Sequence, residues 1–345
     1  MGKNNKKKLI NNLPFVSVCT PTYNRRPFIN MMIQCFNNQD YPKDKLEWII
    51  LDDGTDPIED LVKDIPNVNY SKYEYKMKLG EKRNLMHKKC KGDIIVYMDD
   101  DDYYPPERIS HAVKKLQSDS KVLCAGSSEL YIYFNNINEL YQFGPYGKNH
   151  ATAGTFAFKK KMLENSKYNN NAALAEEKEF LNGYTVPFIQ LDPLKTILVF
   201  SHRHNTYNKE KLLINANEEY VKKSDKTVDL FIKDKNIKEF YMNEIDKLLI
   251  DYKPGEPEMK PDVLKQIAEM EEFKRLQLEK ELIKIKKENS KIAVTGRDGK
   301  TIVLTNDKIV NILQQQEIEI ERLKKEIIGK NIEISMLEKL VKKNI

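Results

Sequence analysis

What this chain lacks narrows its class. No apolar run approaches the roughly 20 residues that a bilayer-crossing helix needs, so no transmembrane segment is expected. Cysteine is scarce: Cys19, Cys35, Cys90 and Cys124 stand far apart, with neither the density of a disulfide framework nor the paired spacing of a zinc site. Cys19 and Cys124 lie in apolar runs, which reads as buried free thiols in a reducing, cytoplasmic compartment. The N-terminal lysines are not followed by the apolar stretch of a secretory signal. The net charge of +6 comes without a basic stripe interleaved with aromatics, so a nucleic-acid partner is not expected. No Gly-rich, Lys- or Arg-bearing loop follows the first apolar run, which counts against a sugar nucleotidyltransferase.

What is there is organised around Asp93-Ile94-Ile95-Val96-Tyr97-Met98-Asp99-Asp100-Asp101-Asp102. A short apolar run reads as a buried strand and ends in four carboxylates. In open α/β sheets, ligands bind outside the carboxyl ends of the strands. Four acids there repel one another unless a cation joins them. Mg²⁺ or Mn²⁺ is the natural candidate, because such ions share carboxylates with substrate phosphates. An acidic run alone would be a solvated loop; the strand before it and the Tyr-Pro-Pro-Glu-Arg helix start behind it argue otherwise.

The 345 residues are enough for about two domains, and 32% charged residues suit a globular core with a charged helical extension. Residues 1–13 read as a disordered basic tail. A strand from Phe15 ends at Pro21, and Arg26-Pro27 opens a helix with Phe28, Met31, Met32, Cys35 and Phe36 on one face. A strand over 46–51 ends in Asp52-Asp53-Gly54-Thr55, and a short helix follows with Asp56 as its cap. A weaker strand spans 68–75 and a helix 79–91. This alternation predicts a parallel, doubly wound sheet, with the ends at Pro21, Asp53 and Asp99 on one edge. From residue 121 the strands read as mixed or antiparallel, including a hairpin around Asn135-Asn136. Tyr23 at that edge can stack on a base, and Asp53 can accept from a base N–H. Arg83 can add a charge-assisted contact, and Asp99, Asp101 and Asp102 can hold a metal that bridges two phosphates. Together these make a nucleoside-diphosphate site.

The runs Val16-Ser17-Val18-Cys19-Thr20-Pro21-Thr22-Tyr23-Asn24-Arg25, Trp48-Ile49-Ile50-Leu51-Asp52-Asp53-Gly54, Gly80-Glu81-Lys82-Arg83-Asn84 and Tyr97-Met98-Asp99-Asp100-Asp101-Asp102 resemble the GT-A glycosyltransferases of the family-2 type. The resemblance covers about residues 15–205. It implies an α/β, Rossmann-like GT-A domain that moves a sugar from a nucleotide-diphosphate donor, preferably a UDP-sugar, to an acceptor hydroxyl with inversion. It implies that Pro21, Tyr23 and Asp53 contact the nucleotide. Asp99 and Asp101 are then the Asp-x-Asp pair around Asp100, with Asp101 a direct ligand of Mn²⁺ or Mg²⁺ and Asp99 nearer the ribose, so that Pro21, Tyr23, Asp53, Arg83, Asp99 and Asp100 form the nucleotide and donor set. Ala175-Glu176-Glu177-Lys178-Glu179-Phe180 resembles the family's acidic pair, which makes Glu177 or Glu176 the base. His202, after the last core strand, is the candidate to complete the metal or diphosphate shell. His204 is its neighbour, and His150, Thr152, Gly154 and Thr155 are placed on the acceptor or donor-sugar side. The acceptor is a glycan, a protein or a lipid-linked chain.

The catalytic domain is expected over 14–215 and a helical appendage over 216–252. Residues 253–262 read as a linker, and 263–345 as a helix, a hairpin (291–305) and a coiled-coil helix (306–344). In that last helix Ile309, Leu313, Gln316, Ile320, Leu323, Ile327, Lys330, Ile334, Leu337 and Val341 alternate by four and three, a seam that predicts homo-oligomerisation. A non-catalytic nucleotide-sugar-binding scaffold assembled by the coiled coil is the other reading. Intact acids at both the metal and base positions count against it.

Overall fold

The computed structural model describes residues 13–174, 177–214, 216–287, 292–295, 299–304 and 306–343. The first sheet grows from the alternation predicted above. Strands β1 (Val16–Thr22), β2 (Leu46–Asp52), β3 (Val68–Lys72) and β4 (Ile94–Tyr97) run parallel, in the order β3-β2-β1-β4. Helices α1 (Arg26–Asn37), α2 (Glu59–Val62) and α3 (Leu79–Lys89) connect them, and α4 (Arg108–Gln117) follows. Both sheet faces are covered, which is why the strands read as almost continuous apolar runs. Val16, Val18, Trp48, Ile50, Ile94 and Val96 face one core layer, with Phe28, Met32 and Phe36 of α1 and Ile109 and Leu116 of α4. Cys19, Ile49, Leu51, Ile95 and Tyr97 face the other, with Met86 of α3. On α1, Ile29 is buried and Met31 only half-buried, a small rotation from the expected face.

The register carries the strand ends to one edge: Thr22 pairs with Asp52, and Cys19 with Tyr97. The sheet then changes direction. β8 (Ala157–Lys159) runs antiparallel between β4 and β5 (Cys124–Gly126), and β9 (Phe188–Gln190) lies parallel to β5 at the far edge. The predicted hairpin forms as β6 (Leu130–Phe134) and β7 (Glu139–Phe143). It belongs to a second sheet, in the order β10-β6-β7-β11, with β10 spanning Val199–Ser201 and β11 Val221–Lys223. α5 is the short turn Glu177–Phe180.

Three expectations are corrected. The helical appendage expected over 216–252 is not helical throughout: β11 pairs with β7 first, and only then do α6 (Val228–Phe231), α7 (Lys235–Glu239) and α8 (Ile245–Asp251) follow. Val221 is half-buried against that sheet edge, so pairing overrides the local helical pattern. Asp56 does not cap α2, whose N-cap is Ile58; it pairs instead with Arg26 at 2.9 Å. Residues 253–262 are not a free linker. They form two tight turns, Lys253–Gly255 and Pro257–Met259, and then enter α9 (Pro261–Lys287). A Cβ on Gly255 would lie 2.8 Å from both the Asn24 carbonyl and His204 Nδ1, so the chain passes too closely there for any other residue.

The chain divides into two compact units, the first continuing past residue 215 to Ile267. The second begins at Ala268 and contains the hairpin of β12 (Ile292–Thr295) and β13 (Thr301–Leu304) and the 38-residue helix α10 (Asn306–Lys343). Residues 1–12, 291, 296–298, 305 and 344 of the expected tail, hairpin and coiled coil lie outside the described residues.

Candidate active site

Beyond the ends of β1 and β4 lies a cavity of about 210 Å³ lined by Pro21, Thr22, Tyr23, Arg25, Lys82, Arg83, Asp99, Asp100 and Asp101. Five of the six residues assigned to the donor therefore meet in one place, together with Asp101. The ammoniums of Lys76 and Lys82 lie 5.1 and 5.9 Å from the centroid of the Tyr23 ring. The Arg83 guanidinium carbon lies 4.9 and 5.2 Å from the ring centroids of Tyr97 and Tyr168, within cation–π distance of both.

The sixth, Asp53, sits beneath this cavity. Its carboxylate is fully buried; one oxygen accepts the Met77 N–H at 2.6 Å, and the other is paired with the Lys82 ammonium. Lys82 also donates to the Thr22 carbonyl at 3.0 Å. An acid with no exposure needs such partners, and Lys82 on α3, three residues beyond Leu79, is the nearest cation that the fold brings to it. Asp53 thus faces Lys82, and Lys82 faces the cavity.

Asp99 is held by its own backbone: its N–H donates to the Tyr104 hydroxyl (2.7 Å), which donates to the Gly154 carbonyl at 3.2 Å. Gly154 is required here, since a Cβ would lie 2.8 Å from Asp99 Oδ2. Arg108, fully buried, ties the layer below by donating to the carbonyls of Tyr97, Thr155 and Phe156. Asp100 and Asp101 share the Arg25 guanidinium, at 3.7 and 3.3 Å. Burial, then the charge of Asp101 beside it, pushes Asp100 up to about 7. Burial also opposes the charge on Asp101, yet Arg25 and then His202 hold that carboxyl well below the usual range. Asp102 turns away into the core, where it accepts the Phe200 N–H at 3.2 Å.

His202, on the segment leaving β10, meets Asp101: its Nε2 lies 3.2 Å from Asp101 Oδ2. Its ring is fixed by the His204 N–H, which donates to Nδ1 (3.2 Å), and by Asn205 Nδ2, 2.8 Å from Nε2. Asn205 cannot turn its oxygen to the ring, because Oδ1 already accepts the His202 N–H at 2.8 Å. A proton on Nε2 would oppose the Asn205 amide; a lone pair there opposes the Asp101 oxygen and puts the ring's proton on Nδ1, against the His204 N–H. A cation shared by Nε2 and Oδ2 relieves the second conflict. The 3.2 Å separation suits neighbouring ligands with bonds of about 2.1 Å to a small divalent ion. Burial drives the imidazole down to about 3, so the ring is neutral; with Nδ1 accepting from His204, its one proton is on Nε2, and ligation through Nε2 requires that proton to move to Nδ1. Among the described residues no cluster of three His, Cys, Asp or Glu forms a protein-only cage, so the remaining positions would fall to phosphates and water. A second cavity, of about 570 Å³, is lined by His202 and shares Thr206 with the first.

Glu177 opens α5 and accepts the Ala153 N–H at 3.2 Å, one residue from the Gly154 that packs on Asp99. Glu176 lies outside the described residues. His150 is set apart from the acids, among the rings of Tyr146 (5.2 Å) and Tyr184 (5.5 Å). His204 gives its backbone carbonyl to Arg25 at 3.0 Å. Thr155 is buried and donates to the Thr152 carbonyl, a structural bond.

Sequence reasoning gave no role to Arg25, Lys82, Arg108 or Lys260, all of which are buried at or beneath the site. For Arg25 and Lys82 the signal was present, since both stand inside the quoted motifs. Lys260 carried none: it lies in a charged stretch after a Pro-Gly turn.

Residues 17–173 match the family model described as glycosyl transferase family 2. A poly(ribitol-phosphate) beta-N-acetylglucosaminyltransferase, TarS of Staphylococcus aureus, is 29% identical over 109 residues, 28% of this chain; the chain spans only 18% of that relative's length. A mannosyltransferase of Pyrobaculum calidifontis, solved with GDP-Man and Mn²⁺, aligns at 19% identity and a TM-score of 0.44, over 55% of this chain and 57% of that one. TarS residues 1–349 with UDP-GlcNAc align at 20% identity and a TM-score of 0.41, over 54% and 58%.

Proposed function

Since residues 17–173 form a glycosyl transferase family 2 domain with the GT-A fold, we propose that this chain transfers a sugar, with inversion, from a nucleoside-diphosphate donor to an acceptor hydroxyl. The observation that carries this reading is the meeting of Tyr23, Arg83 and Asp99 to Asp101, from separate elements, in one cavity at the strand ends. Tyr23 stacks on the base, and Arg83 and Lys82 neutralise the donor's negative charge. A UDP-sugar is the preferred donor.

Asp101 and His202 hold a Mn²⁺ or Mg²⁺ ion, with Asp99 on the ribose side, and the ion when bound supplies positive charge to the leaving diphosphate. Asp101 is suited to this because it stays ionised, and His202, which stays neutral, joins it when its proton moves from Nε2 to Nδ1. Glu177 takes the proton from the acceptor hydroxyl as that oxygen bonds to the anomeric carbon. The carbon–oxygen bond to the diphosphate breaks, and its electron pair leaves with the diphosphate oxygen.

Self-association through α10 is part of this reading. Leu313, Ile320, Leu323, Ile327, Ile334, Leu337 and Val341 of the heptad are all exposed in the single chain, a stripe that a second copy would cover. No helix among the described residues is long and apolar enough to cross a membrane. A cytoplasmic setting is supported by four buried thiols without a disulfide.

The test is donor hydrolysis across UDP- and GDP-sugars with Mn²⁺, beside a chelator control, Asp101→Asn and Glu177→Gln. One donor hydrolysed, lost with chelator and in Asp101→Asn, supports the reading. Glu177→Gln should keep donor binding and lose transfer; loss of binding would remove Glu177 as the base. A chain that binds a nucleotide-sugar and hydrolyses none with any acceptor tried is a scaffold.

A further inference from the structure

The stretch after α8 closes one side of the donor cavity. Tyr252 donates to Asp56 Oδ2 at 2.8 Å, and Asn24 Nδ2 donates to the Pro254 carbonyl at 2.7 Å. The Tyr23 hydroxyl donates to the Met259 carbonyl at 3.0 Å, and Asp262 pairs with Lys76. Gln266 finishes the seam, accepting the Ala173 N–H at 2.7 Å and donating to the Leu174 carbonyl at 3.3 Å. Residues 252–266 are therefore fastened to the nucleotide side of the first unit at several points, and Lys260, Asp262 and Val263 line the cavity with Asp99 to Asp101.

Lys260 is the exception within this wall. It is 8% exposed, and its hydrogen-bond partner is the neutral hydroxyl of Thr206 at 2.9 Å. Arg25, Lys76 and Lys82 each have a carboxylate. Among the described residues no carboxylate lies within ion-pair distance of the Lys260 ammonium. A buried charge with only a neutral partner is costly unless an anion completes it. Burial, and then Arg25 nearby, drive this ammonium well below the usual lysine range, and Asp100 and Asp101 offset only part of that. The carboxylates it faces are already engaged by Arg25 and His202. A further anion entering the cavity would have Lys260 as its unshared cation.

Resting on the donor-site reading above, we propose that Lys260 is a diphosphate-binding residue, supplied to the family-2 core by the segment that follows it. The base lies toward Tyr23 and the phosphates toward Lys260 and Asp101. Residues 252–266 are then part of the substrate site, and donor affinity depends on chain beyond the family-2 match.

The experiment is calorimetric titration of the full chain with UDP, GDP, uridine and guanosine, for wild type, Lys260→Met and Lys260→Arg. Loss of one charge-assisted contact weakens binding by about ten- to a hundredfold. Lys260→Met should lose that much affinity for the nucleoside diphosphate that wild type binds and stay within about twofold for its nucleoside, with Lys260→Arg recovering most of the loss. Lys260→Gln, which keeps a polar group for Thr206, gives the same comparison should the Met variant fail to fold. Unchanged diphosphate affinity in Lys260→Met overturns the proposal while leaving the donor site intact. Tighter binding also overturns it, since Lys260 would then be a plug. Wild type binding none of the four ligands overturns the donor-site reading itself, and the proposal with it.

Discussion

Replacing Lys82 by methionine tests whether the cavity floor is an electrostatic unit. Lys82 and Asp53 are 5% and 3% exposed, and their ion pair is closed by the Met77 N–H and the Thr22 carbonyl. Methionine occupies much of the lysine stem, so packing changes little and the loss is that of the charge. Burial drives the Lys82 ammonium below the usual lysine range even with Asp53 opposing it, a sign of strong desolvation. Breaking a buried pair from one side typically costs about 3–5 kcal/mol, because it strands the other charge. Lys82→Met should fall in that range. Asp53→Asn with Lys82→Met removes both charges and should recover most of it, giving a coupling of about 2 kcal/mol or more. Urea unfolding followed by fluorescence suits this, since Trp48 is the one tryptophan and lies fully buried in the first unit. A single-variant cost under about 1 kcal/mol, or a double variant no more stable than Lys82→Met, would refute the reasoning.

Three further outcomes follow from named contacts. His87 is buried on the Tyr97 hydroxyl at 2.6 Å, and burial lowers it to about 3, so it stays neutral in the fold where the unfolded chain protonates near 6.5. Its contribution is complete above pH 6.5 and declines below it, so the stability advantage of wild type over His87→Gln should shrink by about 1.4 kcal/mol per pH unit between pH 6 and 4; a constant difference would contradict the burial argument. Gly154→Ala places a methyl group against Asp99 and should cut donor turnover by about a hundredfold with the fold intact by circular dichroism; normal turnover would release Asp99 from its assigned position. Leu323→Lys with Ile327→Lys should reduce the chain to a monomer in light scattering, because both residues lie on the exposed heptad stripe; an unchanged oligomer would move the interface elsewhere.

The sequence by itself determined the parallel half of the sheet, because a strand buried on both faces must be apolar nearly throughout and its ends must change composition abruptly. Val16 to Thr22, Leu46 to Asp52 and Ile94 to Tyr97 obey that rule, and their polar endings brought Tyr23 and Asp99 to Asp101 to one edge. It also determined α10, whose heptad needs no tertiary partner to be read. Tertiary structure decided the rest, for reasons that act across long separations. β11 is a strand because β7 offers it an edge, and Asp53 turns to Lys82 because a buried acid takes the cation that packing provides. Arg25 reaches Asp101 across 75 intervening positions, and His202 reaches the same oxygen from the segment leaving β10. Lys260 joins them from a stretch that reads as a linker, because a segment's partners are set by where its ends are fastened, and Tyr252 and Gln266 fasten this one to both sides of the cavity.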